Sequence, residues 1–121
     1  MLSKKTIVLG ASSNPERYSF LAVRQLIVKQ HEVIALGNKA GNIDELMIRT
    51  DLPEVDAVDT ISLYLNPNNQ KPYYAYILAL KPKRIIFNPG TENDELATAA
   101  RTAGIEPIEA CTLVLLATGQ Y

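Results

Sequence analysis

The residues best suited to chemistry in this chain bind rather than react. They are Gly10-Ala11-Ser12-Ser13-Asn14-Pro15, followed by Arg17, Tyr18 and Ser19. Glycine and small hydroxyl residues running into a helix suit a negatively charged group. A helix N-terminus leaves backbone N–H groups unpaired and carries partial positive charge, and small side chains let an anion approach them closely. Three further runs of turn residues join this one: Gly37-Asn38-Lys39, Leu65-Asn66-Pro67 and Asn88-Pro89-Gly90. Lys39 contributes a cation, and Arg17 a second. Other chemistry is sparse. The acids Asp44, Glu45, Asp51, Glu54, Asp56 and Asp59 lack metal-ligand spacing, so no metal site is expected. His31 precedes the second predicted strand, away from the other candidates and without a partner for proton transfer. Cys111 opens a predicted helix, a setting that can activate a thiol, although a lone cysteine is usually a small buried apolar residue. No catalytic set emerges.

These runs need a scaffold that gathers them. Ile7-Val8-Leu9 marks a first strand, about Thr6 to Gly10, apolar throughout as a strand buried on both faces must be. A helix follows to Lys29, with Ser19 as its N-cap after Tyr18, and with Ala22, Val23, Leu26 and Ile27 on one face. Glu32 to Leu36 is a second strand, Leu46 to Ile48 a short one, and Ala57 to Leu65 a third main strand. A helix spans about Lys71 to Leu80, with Pro72 in its first turn. Arg84 to Phe87 is the fourth main strand. Thr91-Glu92-Asn93-Asp94 resembles a capping box opening a helix that Gly104 stops. Pro107 to Glu109 is the fifth main strand, and a helix from Thr112 to Thr118 ends the pattern.

Strands alternating with helices predict an α/β fold: a Rossmann-like, doubly wound, parallel five-stranded sheet with helices on both faces. The expected order of the main strands is 3-2-1-4-5, with a switch point between the first and fourth. Ligands in such sheets bind outside the carboxyl ends of the strands. All four turn runs, together with Ala110-Cys111, fall there and converge on one rim.

Composition narrows the function classes. The 121 residues suit one domain, 1–121, with a sizeable core. A net charge of −1 argues against a dedicated nucleic-acid binder, which needs surplus Lys and Arg. No apolar run approaches a membrane span, and none behind Lys4-Lys5 is long enough for a signal peptide. With one cysteine there is no internal disulfide, and a cytoplasmic location is expected. Tyr73, Tyr74 and Tyr76 share one helix, which reads as packing with hydroxyls reaching solvent. A homo-oligomer or a protein partner meeting that helix is the alternative.

A dinucleotide enzyme would carry Gly-x-Gly-x-x-Gly in the first turn and an acid after the second strand. Here Ser12 and Pro15 stand at the later glycine positions, and Asn38-Lys39 follows the second strand. A lysine attracts an additional ribose phosphate where an acid would repel it. The candidate ligands become coenzyme A or NADP, ahead of NAD.

The run Gly10-Ala11-Ser12-Ser13-Asn14-Pro15-Glu16-Arg17-Tyr18-Ser19, with Asn88-Pro89-Gly90-Thr91-Glu92-Asn93 and Glu109-Ala110-Cys111-Thr112, resembles the small stand-alone bacterial CoA-binding domain family. That family is similar to the CoA-binding domain of succinyl-CoA synthetase, and the resemblance spans nearly the whole chain. It implies that Gly10, Ala11, Ser12, Ser13 and Arg17 hold a pyrophosphate and that Gly37, Asn38 and Lys39 flank the adenosine. The family often has Val-Asn-Pro there, where this chain reads Leu36-Gly37-Asn38. The resemblance implies CoA or acyl-CoA as ligand and no known reaction. The synthetase's phosphohistidine and second domain have no counterpart, so ligase activity is not expected. An NADP-binding oxidoreductase or subunit is the second expectation, with nicotinamide near Leu65-Asn66-Pro67 and Asn88-Pro89. A regulatory module sensing an acyl-CoA is the third.

Overall fold

The computed structural model describes residues 3–121. Its elements run β1 (Thr6–Leu9), α1 (Tyr18–Val28), β2 (Val33–Leu36), β3 (Gly41–Ile43), β4 (Leu46–Ile48), β5 (Thr60–Leu63), α2 (Pro67–Gln70), a 3-10 turn (Lys71–Tyr73), α3 (Tyr74–Leu80), β6 (Arg84–Phe87), α4 (Asp94–Thr102), β7 (Glu106–Glu109) and α5 (Thr112–Ala117).

Five parallel strands form one sheet in the order β2-β1-β5-β6-β7, and β3 and β4 form a separate antiparallel hairpin. Alternation along β1 divides the core in two. Ile7 and Leu9 join Ile61, Leu63, Ile77, Phe87 and Leu96 on the face covered by α3 and α4. Val8 joins Phe20, Val23, Leu26 and Leu116 on the face covered by α1 and α5, where the hairpin adds Ile43 and Ile48. Side chains of this kind contribute about 1.5–3 kcal/mol each when fully buried. The α/β class, the doubly wound parallel sheet and the helices on both faces are therefore as the sequence indicates.

The strand order differs. Counting main strands only, it is 2-1-3-4-5 and not the expected 3-2-1-4-5, because β5 pairs with β1 and lies nowhere near the outer edge of β2. That outer edge is already taken. Arg49, just beyond the hairpin, bridges Leu36, receiving the Gly37 N–H at 3.0 Å and donating to the Ala35 carbonyl at 2.9 Å. The segment between β2 and β5 contains this hairpin in place of a crossover helix, so the chain crosses to the other side of β1. The strand order therefore reverses between β1 and β5, not between the first and fourth main strands.

Two helix starts also shift. Helix α1 begins at Tyr18, so Arg17 is its N-cap, without a side-chain capping bond, and Ser19 is a buried second residue. Helix α4 begins at Asp94 with Asn93 as N-cap, its Oδ1 accepting from Leu96 N, so the expected box at Thr91 lies outside the helix. Helix α1 ends with Gln30 in the left-handed region at φ 67°, and His31 N donates back to Leu26 O, a closure usually given to glycine.

Candidate functional site

The carboxyl ends of β1, β2, β5 and β6 open onto one cleft of about 640 Å³. Its construction begins at Gly10. That residue has φ +96°, and a Cβ there would lie 2.9 Å from the Tyr64 backbone carbon. Only glycine meets both demands, and β1 and β5 can then end side by side. The N–H groups of Gly10 and Ala11 both donate to Leu36 O at 2.9 Å, which fastens the first loop to the end of β2. Gly37 completes the join, since a Cβ there would run into the Ala11 carbonyl oxygen.

The loop then turns on itself. Asn14 N donates to Ser12 Oγ, Asn14 Oδ1 accepts from Glu16 N, and Arg17 N donates to Asn14 O. Ser12, Tyr18 and Ser19 line the cleft, and their N–H groups find no acceptor among the described residues. Arg17 and Lys39 also line it, exposed and without a carboxylate partner among the described residues. Unpaired donors and two cations thus mark this end of the cleft. The opposite end differs in character. It is formed by Leu65, Asn66, Tyr73, Pro89, Gly90 and Thr91, and the Glu92 carboxylate already accepts the Gly90 N–H at 2.9 Å. An anion is favoured at the first end and disfavoured at the second.

Of the residues picked out in the sequence, Gly10, Ala11, Ser12, Arg17, Tyr18, Ser19, Gly37, Asn38, Lys39, Leu65, Asn66, Pro89 and Gly90 come together around the cleft. Five do not. Ser13 faces Gly41 of the hairpin, whose added Cβ would lie 3.0 Å from Ser13 Oγ. Asn14 and Pro15 are exposed on the outer side of the loop, where Asn14 spends its side chain on the turn. Pro67 begins α2. Asn88 is buried, its Nδ2 donating to Ser62 Oγ and Leu63 O while its Oδ1 accepts from Thr112 N. It is a strut beneath the cleft, supplying the cap that Cys111 does not give α5.

Tyr64, Tyr73 and Thr91 line the cleft although the sequence did not mark them as site residues. Tyr64 follows β5 directly, a position that could have been found from the carboxyl-end rule. Its hydroxyl is buried without a hydrogen-bond partner, and burial pushes the phenol well above its ordinary pKa. Tyr74 and Tyr76 do not send their hydroxyls to solvent as expected. Tyr74 accepts from Asn93 Nδ2, and Tyr76 donates to the Pro53 carbonyl.

Behind the far wall lies a second polar cluster. Gln70 is fully buried, and its Nε2 donates to both Leu65 O and Thr91 O at 2.8 Å, while its Oε1 accepts from Asn93 Nδ2 at 2.9 Å. His31 lies at the amino ends of the strands, its Nδ1 accepting from Lys4 N and its ring 4.9 Å from that of Tyr121.

Fold and cleft together define an α/β protein that presents unpaired donors and cations at the carboxyl ends of a parallel sheet. The chain belongs to the CoA-binding domain family, whose model matches residues 4–117. That membership supports CoA binding in general, and with it a small nucleotide ligand. Among solved structures, an uncharacterised protein is 47% identical, with a TM-score of 0.97 and complete coverage of both chains. A conserved hypothetical protein from Pyrococcus furiosus is 26% identical with a TM-score of 0.79, covering 92% of this chain and 97% of its own. A hypothetical protein from Pyrococcus horikoshii OT3 shares the fold at 21% identity, with a TM-score of 0.83 and coverage of 93% and 80% respectively. Among curated proteins, none matches the chain at a significant level. No helix among the described residues is long and apolar enough to cross a membrane.

Proposed function

We propose that the chain binds coenzyme A or an acyl-CoA, with the phosphates at the first loop and the start of α1. The sulfur-bearing arm then runs past Leu65 and Tyr73 towards Pro89. One observation carries this reading: the N–H groups of Ser12, Tyr18 and Ser19 are unpaired in a cleft that also holds Arg17 and Lys39. CoA bears a diphosphate and a separate ribose 3′-phosphate. Arg17, at the start of α1, suits the first, and Lys39, beyond β2, suits the second. NADP is the second reading, because Lys39 would serve a ribose 2′-phosphate equally well.

Calorimetric titration with CoA, CoA lacking its 3′-phosphate, NADP and NAD separates these readings. CoA is expected to bind best, and removal of the 3′-phosphate to weaken binding about fivefold, the scale of one exposed ion pair. Ser12→Asp places a carboxylate among the unpaired N–H groups and should abolish binding without loss of fold. Retained binding in that variant overturns the proposed phosphate seat, and a preference for NADP transfers the reading to that cofactor.

A further inference from the structure

A buried side-chain amide is an expensive choice for a fold, because each of its donors and acceptors must find a partner. Gln70 is completely buried, yet its surroundings satisfy it. Its two carbonyl partners can only accept, which fixes which end of the amide carries the nitrogen. Those partners, Leu65 O and Thr91 O, belong to the turns after β5 and β6, and both residues line the cleft at the end away from Arg17 and Lys39. Asn93 completes the arrangement, donating to Gln70 Oε1 and Tyr74 Oη while its own Oδ1 caps α4. One amide therefore ties two adjacent rim turns to each other and to the start of α4.

We infer that Gln70 is a positioning residue that sets the spacing of Leu65 and Thr91 and so the width of the channel for the uncharged arm of the ligand. This rests on the CoA reading, in which the pantetheine arm occupies that end. An apolar residue of similar volume would fill the same space without the cost of a buried amide, but it would leave the two turns free to part. None of Gln70's side-chain hydrogen bonds goes to a residue assigned to the phosphates, so its influence is confined to the half of the ligand that carries the amides and the sulfur.

The test compares two probes, CoA and adenosine 3′,5′-bisphosphate, which lacks the arm, on the wild-type chain, Gln70→Met and Asn93→Asp. Methionine keeps the volume of Gln70 and removes its hydrogen bonds. Aspartate keeps the α4 cap but sets an acceptor against Gln70 Oε1, so the amide turns over and its nitrogen leaves Leu65 O and Thr91 O; it carries the test should Gln70→Met fail to fold. Wild type is expected to bind CoA more tightly than the bisphosphate. Both variants should lose CoA affinity by roughly tenfold, the scale of one or two net hydrogen bonds, while binding the bisphosphate as wild type does. Unchanged CoA affinity in the folded variants overturns the inference. So does equal loss of both probes, which would mark a general structural role, and so does a wild type that binds both probes equally. A wild type that binds neither probe overturns the CoA reading itself.

Discussion

His31 titrates against its own hydrogen bond. Its Nδ1 must be unprotonated to accept from Lys4 N, and its pKa is held below the ordinary 6.5 first by burial and then by the charges of Lys4 and Arg84, against a smaller opposing effect of Asp59. The folded chain thus prefers neutral imidazole, and the unfolded chain binds the extra proton. The contribution to stability is fully present above the unfolded value near 6.5 and is lost as pH falls through it towards the lower folded value. Thermal midpoints should therefore fall between about pH 7 and pH 5.5, and His31→Asn, which keeps an acceptor, should flatten that part of the profile. A slope equally steep in the variant would remove His31 from the account. At this scale the sequence was readable where a residue type has one common use. Ser12, Arg17 and Lys39 follow strands in runs of turn residues, and the fold carries them to the rim. It was not readable where one type serves two ends. An Asn-Pro-Gly turn looks the same whether its amide faces a ligand or, as with Asn88, turns inward to hold Thr112. Tyr73 and Thr91 were obscured in the same way, because tyrosine and threonine at a rim also read as ordinary packing and turn residues.

On the proposed reading, helix α1 sets stability against ligand binding within one element. Its N-cap is Arg17, a residue that gives no side-chain capping bond, at a position where Ser, Thr, Asp or Asn would satisfy an unpaired N–H. Arg17→Ser should stabilise the fold by about 0.5–2 kcal/mol and weaken CoA binding, through loss of a cation and occupation of a ligand-facing donor. Denaturant unfolding and calorimetry on the same preparation would show the two changes moving in opposite directions, and a variant that binds more tightly would contradict the role given to Arg17. The longer elements were legible because hydrophobic periodicity and turn residues bracket them clearly. The helix starts were not, since Ser19 and Thr91 are good capping residues by type that the surrounding loops place one or more residues out of position. The hairpin was only half visible. Leu46 to Ile48 read as a strand, but Gly41 and Asn42 read as the end of the turn that begins at Gly37, because a glycine and an asparagine mask the three-residue strand Gly41–Ile43.

For the whole molecule, the sheet's class could be read from alternating strands and helices, whereas its order could not. Order depends on which strand edges are free when the chain returns, and the decisive contact, Arg49 on the outer edge of β2, is a single bridge with no local signature. Both sheet edges are blunted. At β7 the even-numbered N–H groups face β6, as Glu106 N and Ala110 N show, so Pro107 lies where an outward N–H would otherwise be offered. Pro107→Val should expose that donor and promote concentration-dependent association, measured by light scattering. A variant that scatters as wild type does at every concentration would show that the proline is not what guards this edge. The two fastenings of the cleft, Gly10 and Ala11 to Leu36 on one side and Gln70 across the other, leave it little slack. On the proposed reading, a ligand meets a receptor already shaped for it, and association is expected to be governed by encounter and by steering from Arg17 and Lys39. Differences among ligands should consequently appear in how long each stays, rather than in how fast it arrives.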